Sequence, residues 1–385
     1  MPRFSDQPKG SLRPTSAAHR LRDAVLAAVL GAGAVAWVVF PGGLMVETPS
    51  FGQPEILTPG EEVEVVTRAA VPWFTRIEGL TLERGPIRIP VPLQTATGRG
   101  ARPTALGRLP SDCPPGNYDL VARAGTRESR ARRAVAVLAS IPERFTVAQI
   151  TDLHVGYTPE GEASVGRIVD ELDRLKPDLV VVTGDITDDG NWDHFERAQR
   201  VLDKLTMPFV CVPGNHDRRG FAGYLSSFGL PYYSVKFGHW TLLGLDGGHG
   251  WDQFTESQFA FIGRELDAAQ PGRVIVLSHI PLAGKRSIKA HAGDAIALLE
   301  RKHVPLVLSG HWHYGGGYEA ANGTPIGAQT GTQFVTTAAS GGWPHVAPNE
   351  RLASRGFTLV TVDNGRVASV EYCGFDSGAA REANQ

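Results

Sequence analysis

The chain has 385 residues, more than one ordinary domain needs, so two folded units are expected. Its 38 basic and 40 acidic residues leave a formal charge of −2. That balance offers no basic face for a nucleic acid, and no nucleic-acid partner is expected.

Residues 1–23 carry Arg3, Lys9, Arg13, Arg20 and Arg22 with few acids. The run AVLAAVLGAGAVAWVVF at 24–40 is uncharged, and apolar character resumes at Leu44, Met45 and Val46 before Glu47. At a rise of about 1.5 Å per residue this approaches a bilayer crossing. Basic residues ahead of the run point to a cytoplasmic start and an exported remainder. An N-terminal apolar helix over 24–46 is therefore expected, acting as a transmembrane anchor that leaves the bulk of the protein extracytoplasmic. A cleaved signal peptide, with Ala34-Val35-Ala36 as its cleavage site and a secreted or periplasmic product, is the alternative.

From 47 to 141 short alternating segments are broken by Gly and Pro: EEVEVVTRA (61–69), TRIEGLTLERG (75–85), PIRIPVPLQ (86–94), NYDLVARAG (117–125) and RARRAVAVL (130–138). Strands at this spacing predict a small all-β, Ig-like sandwich. Pro90 and Pro92 assign their strand to a sheet edge. Nothing in this stretch clusters as a catalytic set, so a spacer or interaction role is expected, with no partner indicated.

From 145 to 376 the pattern changes. Apolar runs FTVAQI (145–150), DLVVV (178–182), MPFVCV (207–212), RVIVLS (273–278) and VPLVLS (304–309) alternate with helix-period segments at 164–176, 194–205 and 256–270. Continuous apolar strands predict an α/β fold of βαβ units, a sheet covered by helices. Thr255 with Gln258 has the form of a capping box at the third helix. FTLVTVDNGRVASVEY (357–372) reads as a hairpin around Asn364-Gly365. A short polar tail, 377–385, follows. The three cysteines, Cys113, Cys211 and Cys373, are far apart and form no C-x-x-C pair, which argues against a disulfide framework or a structural zinc site.

The five apolar runs end alike. They are followed by Asp152 and His154, by Asp185, by Asn215-His216-Asp217, by His279, and by His311 and His313. Desolvating such groups without partners costs several kcal/mol. In an open α/β sheet the carboxyl ends of the strands are where ligands bind. If the five strands are neighbours in one sheet, these groups face one crevice. Carboxylates with imidazoles suit divalent first-row metals. Asp152, His154, Asp185, Asn215, His279, His311 and His313 exceed one tetrahedral site and suit two metals sharing a bridging carboxylate. Manganese is expected first, with iron, zinc and cobalt compatible. Arg218 and Arg219 read as a solvated loop, Asp188 and Asp189 as structural, and Asp246 as closing a strand. His249, Trp251, His291, Tyr314 and His345 fall in loops that could line the crevice, which their position alone does not show.

The series DLH, GDITDDG, GNHD, SHIP and GHWH resembles the calcineurin-like metallophosphoesterases, over about residues 145–375. The GDITDDG block resembles the branch containing class III cyclic-nucleotide phosphodiesterases and glycerophosphodiesterases. The related purple acid phosphatases carry a tyrosine three residues after the bridging aspartate; Asp188 stands there instead, so no tyrosine-to-iron charge transfer is expected. The resemblance implies a β-sandwich core flanked by helices. It makes Asp152, His154 and His313 ligands of a first metal, and Asn215, His279 and His311 ligands of a second, with Asp185 bridging. It makes His216 a catalytic group facing the substrate, oriented by Asp217. The implied activity is hydrolysis of a small phosphodiester or phosphomonoester by a metal-activated hydroxide. A non-catalytic surface binding or scaffolding protein of the same fold, and a lipid-phosphate hydrolase at the membrane, are the alternatives.

Overall fold

The structure, a computed structural model, describes residues 43–69, 75–97, 102–248, 254–284, 287–317, 331–343 and 354–375. The basic start, the apolar run to residue 42, the tail, and His249, Trp251 and His345 lie outside them. No described helix is long and apolar enough to cross a membrane. Leu44, Met45 and Val46 do not extend an apolar helix: they open strand β1 (Leu44–Thr48). Pro41-Gly42-Gly43 ahead of them is unsuited to helix, and β1 buries Leu44 and Val46 while pairing with a neighbouring strand.

That first region contains β2 (Glu55–Leu57), β3 (Glu62–Ala69), β4 (Gly79–Arg84), β5 (Ile87–Val91), β6 (Leu93–Thr97), β7 (Thr104–Arg108), β8 (Gly116–Ala124) and β9 (Arg127–Val137). They form two sheets, ordered β1-β3-β7-β6 and β2-β9-β8-β4-β5. Val63 and Val65 of one sheet and Leu82, Tyr118 and Leu120 of the other share a single core. Pro90 lies in β5 at a sheet edge, where no ladder bond asks for its missing N–H.

The region is not a detached spacer. Phe51 is buried against Phe209 and Phe228, with ring centroids 5.1 and 5.7 Å away. Gly52 accepts a hydrogen bond from the Cys211 N–H (2.8 Å) and donates its own to Phe228 (3.1 Å). Arg133 donates to the carbonyls of Asp203, Leu205 and Met207.

The remaining strands are β10 (Phe145–Ile150), β11 (Leu179–Thr183), β12 (Phe209–Val212), β13 (Tyr233–Phe237), β14 (Trp240–Leu245), β15 (Val274–Ser278), β16 (Leu306–Ser309), β17 (Gly316–Gly317), β18 (Gln333–Thr336), β19 (Gly356–Asp363) and β20 (Arg366–Gly374). The helices are α1 (Pro159–Leu175), α2 (Trp192–Leu202), α3 (Phe221–Ser227), α4 (Glu256–Ala268) and α5 (Ala292–Arg301). The five strands with polar ends do not share one sheet. β10, β11 and β12 belong to the sheet β12-β11-β10-β19-β20, whereas β15 and β16 belong to β13-β14-β15-β16-β18-β17.

The two sheets meet through Val147, Leu179, Val181 and Val212 on one side and Leu242, Ile275, Leu277, Leu306 and Leu308 on the other. The opposite faces meet helices: Ile150, Val180 and Val182 pack under α1 and α2, and Val274, Val276 and Val307 under α4 and α5. Each strand is apolar on both faces because a sheet covers one and helices the other. A strand between two helical layers reads the same, so the strand pattern alone does not separate one sheet from two; the two-sheet core is the one the family resemblance implied.

Local signals are met where side chains supply the bonds. Thr158 caps α1, its hydroxyl accepting from Gly161 N at 3.1 Å, with Pro159 in the first turn. Thr255 caps α4 through Gln258 N (3.2 Å). The buried Gln258 amide does not complete the box; it exchanges bonds of 2.7 and 2.9 Å with the Asp246 backbone at the end of β14. Asn364 and Gly365, with φ of 50° and 77°, turn the β19–β20 hairpin.

Candidate active site

Beyond β10 and β11 the chain keeps pairing: Asp152 N donates to Gly184 O, His154 N to Asp185 O and Val155 N to Ile186 O, each at 3.0 Å. The loops carrying the candidate ligands thus run side by side. Asp152, His154, Asp185, His311 and His313 all have φ between 44° and 69°. Side-chain-bearing residues enter this region at a cost of about 1–3 kcal/mol each, and such strain gathers at functional sites. Gly214 answers a related need: a Cβ there would lie 2.1 Å from Asp185 Oδ1.

All seven predicted ligand positions converge although two sheets supply them. His313 Nε2 is 3.1 Å from Asp152 Oδ1 and 3.2 Å from His154 Nε2. His279 Nε2 is 3.2 Å from both Asp185 Oδ2 and Asn215 Oδ1. Asp185 Oδ2 is also 3.7 Å from His154 Nε2, so this carboxylate lies between two groups, Asp152–His154–His313 and Asp185–His279–His311. Beneath them Gln149 of β10 donates to Thr183 Oγ1 and to Ser309 O, both at 2.8 Å, tying the floor of one sheet to the other.

The imidazoles are aimed by their other nitrogens. His279 Nδ1 donates to Thr183 O (2.8 Å), His313 Nδ1 to Trp343 O (2.7 Å) and His154 Nδ1 to Asp188 Oδ1 (3.0 Å). Outer partners of this kind set tautomer and ring orientation in metal sites. Neutral rings so held turn bare Nε2 atoms toward one another and toward the Asn215 oxygen. Only positive charge, a proton or a cation, relieves that confrontation, and the mixed N/O donor set fits divalent metals.

The electrostatics agree. Burial favours neutral Asp152, but the His313 and His279 charges outweigh it and bring the carboxyl down to about 2. Burial would lower His279, but Asp185 and Asp152 hold it up at about 10. His311 is pushed down to about 4 by burial and by repulsion from His279. Asp185 is lowered despite its burial, by His279 and His154.

Several expectations change. Asp217 makes its hydrogen bonds elsewhere than to the His216 ring. Its buried carboxylate accepts from Ile186 N (3.0 Å), Thr187 N (2.8 Å), Thr187 Oγ1 (3.0 Å) and Gly214 N (2.9 Å), stapling two ligand loops together. Burial and the charge of Asp185 raise it to about 6 against those bonds. Asp188 takes the orienting role: besides holding His154, its carbonyl receives the His216 Nδ1 proton. His216 Nε2 sits 4.0 Å from Asp185 Oδ2, at the edge of the ligand group.

Arg218 is not solvated; it pairs with Asp246, with its guanidinium 4.0 Å from the centre of the Phe221 ring. His291 pairs with Glu256 (3.1 Å), and Tyr314 stacks on Trp312. One neighbour of the site was not anticipated. The Trp343 ring lies 5.0 Å from His154 and 4.8 Å from His313. Its signal in the sequence is Ser340-Gly341-Gly342-Trp343 soon after β18, another strand followed by a tight turn and a side chain able to bear function.

Comparison with known proteins matches this geometry. The calcineurin-like phosphoesterase profile covers residues 145–315. The 3',5'-cyclic adenosine monophosphate phosphodiesterase of Escherichia coli K12 is 30% identical over 195 residues, 44% of this chain and 70% of that protein. The chain belongs to the calcineurin-like phosphoesterases. As a member of the family it is a phosphoric ester hydrolase.

A probable cyclic nucleotide phosphodiesterase of Synechococcus is 26% identical over 227 residues, 52% of this chain and 86% of that one. Among solved structures, a purple acid phosphatase from yellow lupin seeds shares the fold with a TM-score of 0.54 at 16% identity, over 82% of this chain and 71% of that chain. That coverage exceeds what residues 145–375 alone supply, so it includes part of the N-terminal sheets. Calcineurin-like phosphoesterases typically use divalent metals, and the groups assembled here are candidates to hold them.

Proposed function

We propose that residues 145–375 hydrolyse a small phosphodiester, or a phosphomonoester, at a pair of divalent cations, manganese first among them. Asp152, His154 and His313 would hold one cation, Asn215, His279 and His311 the other, and Asp185 both. The observation that carries this is the pair of bare-nitrogen groups flanking one shared carboxylate. Bound there, the cations supply Lewis acidity toward the phosphoryl oxygens and bring the pKa of water toward neutrality. Asn215 contributes a neutral oxygen, which leaves net positive charge for an anionic ester. Asp152 and Asp185, both held as carboxylates, supply the negative charge that a bound cation would neutralise in place of the proton they otherwise hold on His279.

His216 is the proton donor to the leaving oxygen in this reading. Its Nδ1 is committed to the Asp188 carbonyl, so Nε2 is the atom that faces substrate. The N-terminal pair of sheets is read as an Ig-like sandwich fused to the hydrolase. The basic-flanked segment at 24–42 is read as an anchor that places the enzyme outside the cytoplasm. Fractionation of cells producing the full chain checks that placement, and recovery in the soluble cytoplasm would remove it.

The hydrolase proposal is tested by metal analysis and by assay on bis-p-nitrophenyl phosphate and on an alkyl phosphodiester. Two equivalents of metal are expected, with activity lost to a chelator and restored by Mn²⁺. His216→Ala should keep its metal and lose about a hundred- to ten-thousand-fold in turnover on the alkyl ester, whose leaving oxygen needs the proton most. Undiminished turnover on that ester removes the donor role, and a single bound metal removes the paired centre.

A further inference from the structure

Next to the ligand group stands an aromatic pair that the reaction as described does not use. Trp343 is half-buried, and its ring lies over His154 and His313 and 6.5 Å from His216. Tyr157, 45% exposed, also packs on it, with its ring centroid 4.8 Å away. An exposed tyrosine adds little to a core, so its contribution to folding does not account for its place.

The Trp343 position is tightly built. Ser340 N donates to Thr151 O and Gly342 N to Asp152 O, both at 2.8 Å, so the loop continues the pairing beyond β10. A Cβ on Gly342 would lie 2.7 Å from His154 Cδ2, so this turn packs directly on a ligand ring. The Trp343 carbonyl receives the His313 Nδ1 proton. One residue therefore aims a ligand with its backbone and sets its ring beside two ligand imidazoles.

We propose that Trp343 and Tyr157 form an aromatic wall that selects phosphoesters carrying a planar ring close to phosphorus, such as a nucleobase-bearing or aryl substituent. This substrate class rests on the hydrolase reading above. The wall borders His154, His313 and His216, within reach of a ring carried by an ester seated over the ligand group. Aromatic faces stack on planar groups in offset or edge geometries and tolerate varied ring chemistry. An alkyl substituent gains little there.

The test separates ring recognition from chemistry. Metal-loaded full chain is titrated calorimetrically with phenylphosphonate and methylphosphonate, which share the anion and differ in the ring. The parent should bind the phenyl compound about tenfold more tightly, Trp343→Ala should lose that preference, and Trp343→Phe should retain most of it. Trp343→Ala keeps the carbonyl that holds His313, so its metal content should match the parent. If it does not, Tyr157→Leu, whose side chain replaces no ligand partner, decides by the same ratio. Equal affinities in the parent, or a preference that survives Trp343→Ala and Tyr157→Leu, overturns the proposal. Absence of ester turnover by the metal-loaded parent counts against the hydrolase reading instead, and leaves the binding ratio as a separate readout.

Discussion

Replacing Phe51 by alanine measures whether the N-terminal sheets are part of the hydrolase fold. The ring is 4% exposed and packs edge-on against Phe209 of β12 and Phe228 after α3. Alanine lacks roughly 150 Å² of that buried surface, about 4 kcal/mol at about 25 cal/mol per Å². Two edge-to-face contacts add about 0.5–1.5 kcal/mol each, and partial collapse of the cavity takes some back. A loss of about 4 kcal/mol is expected, a large share of the about 5–15 kcal/mol that holds a typical domain together.

Urea unfolding followed by circular dichroism and by phosphodiesterase activity provides the assay. With a slope of about 3 kcal/mol per M, the midpoint should fall by about 1.3 M. Both signals should fall together, because the same core joins Phe51 to the strands that carry the site. A shift under about 1 kcal/mol, or activity that persists after a separate first transition, would refute the idea that this segment is integral. The same contacts predict that a fragment starting at residue 145 exposes Phe209, Phe228 and the outer edge of β12 and aggregates.

Other outcomes follow from single groups. Burial, reinforced by Glu64 and Glu61, raises the Glu55 carboxyl from its ordinary 4.5 to about 7. The folded state therefore binds this proton more tightly than the unfolded one; that stabilisation is complete below about pH 4.5 and is lost as pH rises through 7. Glu55→Gln should gain up to about 3 kcal/mol at pH 8 and nothing at pH 4 in thermal melts, and an equal gain at both would exclude the mechanism. Asp188→Ala frees His154 Nδ1 and should weaken metal affinity about 10–100-fold, read by chelator competition; unchanged affinity would assign Asp188 a purely local role. Adding Mn²⁺ at about 100 times its dissociation constant should stabilise the metal-free protein by about 2.7 kcal/mol per independent site. No change in melting temperature would mean that the converged groups bind no metal.

The candidate site was legible because its chemistry is written locally. Asp152 with His154, Asn215 with His216, and His311 with His313 each follow an apolar run, and a polar group just past a buried strand must find a partner there. Capping at Thr255 and the Asn364-Gly365 turn belong to the same class, since neighbours within a few residues decide them. The roles of Asp217 and Asp188 were exchanged by sequence reading, because GNHD places Asp217 beside His216 in the chain while the folded loops carry it toward Ile186 and Thr187. Trp343 was overlooked because its contacts with His154 and His313 cross a long stretch of chain.

The sequence by itself determined the five apolar strands that carry the site, where they end and which donor atoms stand at those ends, for these depend on side-chain chemistry and short-range spacing. Only the tertiary structure decided which strands go to which of the two sheets, that the first β region packs on β12, and which nitrogen of each histidine is free. An apolar strand buries equally well against a helix or another sheet, so its composition is silent about its partner. That choice is made by packing among segments distant in the chain.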